Sequence, residues 1–190
     1  MVNIFSEFED SIFFDESMIF DENKIRGKLT DVIIQKLNSC KETEKGFVFE
    51  EIICDALEFL SISFIKTKKT RDFGLDGIIR IKLDIFGEAN LGLQIKYKLI
   101  DSNDIDLFLS ALRNAEIQLG VIICKDSREL QKYELNSKIK AILLSKGVKI
   151  KEKLIKENIT INPVFILKFD DILDMTSTRM RDVVRAIYKQ

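Results

Sequence analysis

Hydrophobic and polar positions along the chain change period several times, and each change marks an element. From Asn23 to about Cys40 the spacing of Ile25, Leu29, Val32, Ile33 and Leu37 is helical. A second helix runs from about Glu44 to Leu60 and turns Phe49, Ile52, Ile53, Ala56, Leu57 and Leu60 inward. Ser61 to Lys66 predicts a short strand. The period then falls to two. Leu75, Ile79, Ile81, Leu83 and Ile85 share one parity, if Gly77 is passed over, and Asp76, Arg80, Lys82 and Asp84 share the other, interrupted by Ile78. A matching strand sends Leu91, Leu93, Ile95 and Tyr97 one way and Gly92, Gln94, Lys96 and Lys98 the other. With Gly87-Glu88-Ala89-Asn90 as the turn, the two read as an antiparallel hairpin, each strand with an apolar side for packing and a polar side for other work.

Beyond the hairpin, Ser102 to Gln118 predicts a helix with Ser102, Asn103 and Asp104 as N-cap candidates and Ile105, Phe108, Leu109, Leu112 and Ala115 inward. Leu119 to Cys124 is a continuous apolar run, the pattern of a central strand covered on both faces. A helix over about 128–146, strands at 148–150 and 164–167, and a last helix from about Asp170 to Tyr188 follow. This order predicts an α/β fold, a mixed β-sheet sandwiched by α-helices. We expect one compact unit, with residues 46–190 as the main domain. Residues 1–45 then form an N-terminal arm and helix. In the arm, Phe5, Phe8, Phe13, Phe14 and Phe20 alternate with acids, a pattern for docking on the parent domain or on a second subunit.

Composition narrows the chemistry. With 30 basic and 31 acidic residues in 190, no general coat of positive charge exists, so nucleic-acid binding would use a local basic face. No apolar run is long enough for a bilayer, and the first residues are acidic where a secretory signal would be basic, which predicts a cytoplasmic protein with no membrane partner. Cys40, Cys54 and Cys124 lack metal-ligand spacing and read as reduced thiols. Histidine is absent, which removes Ser-His-Asp and Cys-His catalysis and most zinc sites. A catalytic centre here must use carboxylates, amides, lysines and hydroxyls, whose hard oxygens suit Mg2+ or Mn2+.

Such a set is at hand. Any hairpin register that pairs the two apolar sides places Asp76 on one surface with Gln94 and Lys96. Glu50 falls in helical register with Ile53, Cys54 and Leu57, where an acid needs a partner such as a metal, a lysine or water. Lys66, Lys68, Lys69 and Arg71 form a cationic approach to the hairpin, suited to phosphate contacts, with Lys98 a further candidate.

Gly46-Phe47-Val48-Phe49-Glu50, then Asp72-Phe73-Gly74-Leu75-Asp76-Gly77, then Gln94-Ile95-Lys96, then Leu119-Gly120-Val121-Ile122-Ile123 together resemble the Mrr-like branch of the PD-(D/E)xK restriction-endonuclease-like nucleases, over roughly Gly46 to Ile150. The resemblance implies that Asp76 ligates a divalent ion, Gln94 assists through its amide oxygen, Ile95 adds its backbone carbonyl, and Glu50 completes or supports the shell. Lys96 would orient or activate the attacking water. It implies a Mg2+-dependent DNA endonuclease of a restriction or anti-phage system, acting as a homodimer or beside a partner that supplies target recognition. Two departures matter: Gln94 stands where the wider superfamily has an acid, and a winged-helix reader domain has no room. An inactive nucleic-acid-binding or assembly subunit, and a Holliday-junction-type nuclease, remain alternatives.

Overall fold

The computed structural model describes residues 4, 5, 8, 21–67, 74–83, 87–117, 119–127 and 164–188. The helix expected over 128–146, the strand at 148–150 and most of the N-terminal arm lie outside the described residues. In chain order the elements are α1 (Glu22–Asn38), α2 (Lys45–Phe59), β1 (Phe64–Lys66), β2 (Gly77–Leu83), β3 (Gly87–Ile100), α3 (Ser102–Asn114), β4 (Leu119–Ser127), β5 (Val164–Lys168) and α4 (Phe169–Tyr188). They fall into two compact units, Met1–Ser61 with Phe169–Gln190, and Ile62–Lys168.

The first unit is helical. Asp21 caps α1 by accepting from the N–H groups of Asn23 and Lys24, which satisfies two donors that the first turn leaves over. Ile25, Leu29, Ile33 and Leu37 recur every fourth residue and are all buried. The face next to that stripe binds α4 by charge: Arg26 reaches Asp170 and Asp174, and Arg181 reaches Glu22. Phe49 of α2 meets Phe169 edge to face at 5.4 Å between ring centroids. From the arm, Ile4, Phe5 and Phe8 are buried, and Phe5 stacks on Phe59.

The second unit is a five-stranded sheet in the order β1-β2-β3-β4-β5. β1, β2 and β3 pair antiparallel, whereas β3, β4 and β5 pair parallel, so the sheet is mixed. β3 is its axis. Its first half pairs with β2 from Leu83↔Gly87 to Gly77↔Leu93, so residues 87–90, read as the turn, already belong to the strand. Residues 84–86 lie outside the described residues. The polar pattern of Gly87 to Asn90 misled because Glu88 and Asn90 occupy only one parity of a strand.

α3 is the crossover between the parallel strands β3 and β4. Leu75, Phe108, Leu112, Ile122, Cys124 and Ile166 form its core against the sheet, where each fully buried Phe, Leu or Ile contributes about 1.5–3 kcal/mol. The face of β3 that reads as polar is therefore also packed. Glycine makes this room: Gly92 and Gly120 are register partners, and a β-carbon on Gly92 would lie 2.4 Å from Leu112. On Gly120 it would lie 2.5 Å from Leu112 and 2.6 Å from Phe108. Gly120→Ala is therefore expected to destabilise the protein by about 1–3 kcal/mol through overpacking, read from urea midpoints; an unchanged midpoint contradicts this packing.

Candidate active site

The sheet is entered through a corner, Gly74-Leu75-Asp76. Gly74 has φ +88°, a conformation open to glycine and strained for other residues. Every main-chain carbonyl of the corner is engaged. Gln94 Nε2 donates to Gly74 O at 2.6 Å, the Thr67 hydroxyl donates to Leu75 O, and Thr67 N–H donates to Asp76 O at 3.1 Å. Leu75 consequently packs in the α3 core rather than continuing the parity of Ile79, because the strand proper begins at Gly77.

β3 holds Asp76 twice. Its N–H donates to Leu93 O at 2.8 Å, and its carboxylate Oδ2 accepts from Ile95 N–H at 2.6 Å. The register that sets Gly77 against Leu93 puts Asp76 across from Gln94, on the same face of the sheet. Asp76, Gln94 and Ile95 are thus brought together. The Gln94 amide is oriented by its bond to Gly74, and its carbonyl oxygen Oε1 is shielded from solvent with no hydrogen-bond partner among the described residues. A buried acceptor left alone costs about 1–3 kcal/mol, so such an oxygen calls for a donor or a cation.

Lys96 lies on the same parity, two residues on, and its ammonium is 3.3 Å from Asp104 Oδ1. Lys98 Nζ lies 2.7 Å from the same oxygen. The Asp104 side chain is 4% exposed. It sits in the first turn of α3, where Asp101 is the N-cap in place of the three residues that follow it: Asp101 accepts from Asp104 N–H, and Asp104 Oδ2 accepts from Asp101 N–H. Burial pushes the Asp104 pKa up, but the bonds from Lys98, from the Asp101 N–H and from Lys96 outweigh it and hold the carboxyl below its ordinary value.

The remaining candidates are placed as follows. Glu50 is half-buried on α2, beside Phe49 and Ile53, and belongs to the helical unit. Lys66 is exposed at the end of β1, opposite Gly77. Lys68, Lys69 and Arg71 lie outside the described residues. Among the described residues no group of three or more His, Cys, Asp or Glu side chains could hold a metal. The corner and the strand beside it instead offer the Asp76 carboxylate and the Gln94 amide oxygen, hard donors that fit a divalent cation, with Oε1 the most telling member. Thr67 is absent from the sequence reading, and Asp104 enters it only as an N-cap candidate, without its lysine partners. The Asp101-x-x-Asp104 spacing was a legible signal for Asp104; Thr67 carried none.

A family model described as restriction endonuclease, the Mrr catalytic domain, matches residues 42–154, more than half of the chain. No curated protein and no solved structure is matched.

Two stability outcomes are expected. Because the folded pKa of Asp104 is depressed, its contribution is present above the unfolded value of about 3.9 and is lost as pH falls through the folded value. Asp104→Asn is therefore less stable than wild type by about 1–3 kcal/mol at pH 6, and the gap narrows below pH of about 4, measured by urea unfolding at both pH values. In Gln94→Glu, a carboxylate cannot donate to Gly74 O, so the corner loosens and stability falls by about 1–3 kcal/mol in metal-free buffer; an unchanged midpoint would show that the tether carries no weight.

Proposed function

The chain belongs to the restriction endonuclease family of the Mrr catalytic type, and from that premise we propose that it is a divalent-metal-dependent DNA endonuclease serving restriction or anti-phage defence in the cytoplasm. The observation that carries the reading is the shielded Oε1 of Gln94, without a hydrogen-bond partner among the described residues, across the ladder from Asp76 and within the matched residues.

Asp76, Gln94 Oε1 and the Ile95 carbonyl would hold the ion, Mg2+ or Mn2+, through oxygen alone. When bound, the ion supplies Lewis-acid stabilisation of negative charge on the phosphate and a more acidic water. The chain's own groups do the rest. Ile95 N–H fixes one oxygen of Asp76, so the carboxylate is preorganised by a strand rather than by a loop. Gly74 O fixes the Gln94 amide, so the carbonyl end keeps its direction. Lys96 brings a compact ammonium that orients the attacking water and offsets charge growing on the phosphate. One carboxylate fewer than in a three-acid site implies weaker metal affinity.

Lys66, Lys68, Lys69, Arg71 and Lys98 supply contacts to the DNA backbone, which makes binding salt-dependent. A net charge of −1 is small for a protein that must find sites on DNA alone, which favours a homodimer or a partner subunit that supplies target recognition. Among the described residues no helix is long and apolar enough to cross a membrane, in keeping with a soluble DNA substrate.

The test is incubation of purified protein with plasmid DNA and Mg2+, with and without chelator. Wild type is expected to nick or linearise the plasmid, and Asp76→Ala and Lys96→Ala to lose on the order of 100-fold or more of that rate. Equal cleavage by all three proteins removes the assignment. Binding of DNA with no cleavage of any substrate by wild type returns the inactive-subunit reading.

A further inference from the structure

Lys96 does not present a loose side chain. Its ammonium rests 3.3 Å from Asp104, a carboxylate with 4% of its side chain exposed, whereas the lysine itself is 25% exposed. The two oxygens of that carboxylate divide their work. Oδ2 closes the capping box with Asp101 N–H at 3.2 Å, which ties the acid to the first turn of α3; Oδ1 takes both Lys96 and Lys98. A capping acid could serve its helix with solvent on its other oxygen. Here it is buried and faces two lysines of the neighbouring strand, one of them two residues from Gln94.

We propose that Asp104 is the positioning residue for Lys96: its carboxylate, held by the helix cap, fixes where the ammonium sits above the face that carries Asp76 and Gln94. The inference rests on the reading that Lys96 acts in phosphodiester cleavage. An ammonium on a four-carbon stem has many rotamers, and holding it in one place removes an entropic loss from the reaction. A carboxylate on a rigid element does this better than one on a loop. Lys98 has a second part in this arrangement. One carboxylate facing two ammonium groups leaves a net positive charge, so Lys96 is held without being neutralised and retains attraction for a phosphate.

The test separates positioning from folding and from the nuclease reading itself. Steady-state cleavage of a duplex substrate with Mg2+ is measured for wild type, Lys96→Ala, Asp104→Asn, Asp104→Glu and the Lys96→Ala/Asp104→Asn double variant, each checked for native circular dichroism. Asn keeps an acceptor for the Asp101 N–H and removes the charge; Glu keeps the charge and displaces it. The expected result is a kcat lowered about ten- to a hundredfold in Asp104→Asn, with KM within about twofold, and a smaller loss in Asp104→Glu. The double variant is expected to be no slower than Lys96→Ala, because Asp104 acts through that lysine. A folded Asp104→Asn with wild-type kcat overturns the proposal, as does a double variant slower than Lys96→Ala. If Asp104→Asn does not fold, wild-type kcat in Asp104→Glu overturns it. Failure of the underlying reading looks different: wild type then cleaves nothing, or Lys96→Ala cleaves as well as wild type.

Discussion

The hydrogen bond from Ile95 N–H to the Asp76 carboxylate is the contact on which the site depends. Asp76 stands one residue before β2 enters the ladder, and β3 grips it by main chain and side chain together. Its position therefore follows from strand register. A slip of one residue would send Gln94 and Lys96 to the opposite face and leave the acid alone. Three further bonds, from Gln94 and Thr67, close around the carbonyls of the same corner, so the acid approaches β3 along a path with little freedom.

The row of β3 that faces α3 reads Gly92, Gln94, Lys96, and each member meets a different part of its surroundings. Gly92 yields its space to Leu112, Gln94 binds the corner, and Lys96 meets the first turn of the helix. One strand thus serves packing, the tethering of the corner and cation placement within five residues. Lys96 and Lys98 lie at positions where the β3–β4 register shifts before Leu99, and both converge on Asp104.

The alternation of side chains makes the two long strands and the shared parity of Asp76, Gln94 and Lys96 legible in the sequence, because a strand has one simple period. Helical spacing does the same for Ile25, Leu29, Ile33 and Leu37. The turn at Gly87 to Asn90 was misplaced because turn-forming residues are also tolerated at the ends of strands, and only pairing decides between the two. Leu75 was assigned to the wrong layer since a left-handed glycine just before it breaks the parity. The α3-facing side of β3 looked free for chemistry because a glycine signals absence of a side chain and says nothing of what fills the gap. Asp104 was seen as a cap and not as a lysine partner: the lysines are distant from it in helical or strand period, and their meeting is a tertiary fact. Thr67 belongs to the same class, since its two bonds to the corner depend on where β1 ends.

The pair of glycines beneath α3 acts on the far end of the helix as well as on its packing. Leu112 and Phe108 settle on the sheet only because neither glycine carries a side chain, and the same stiff helix carries Asp104 in its first turn. A bulkier residue in that floor would lift the helix and with it the carboxylate that Lys96 leans on. Space in a buried, chemically inert part of the molecule is thereby coupled mechanically to the placement of a charged group.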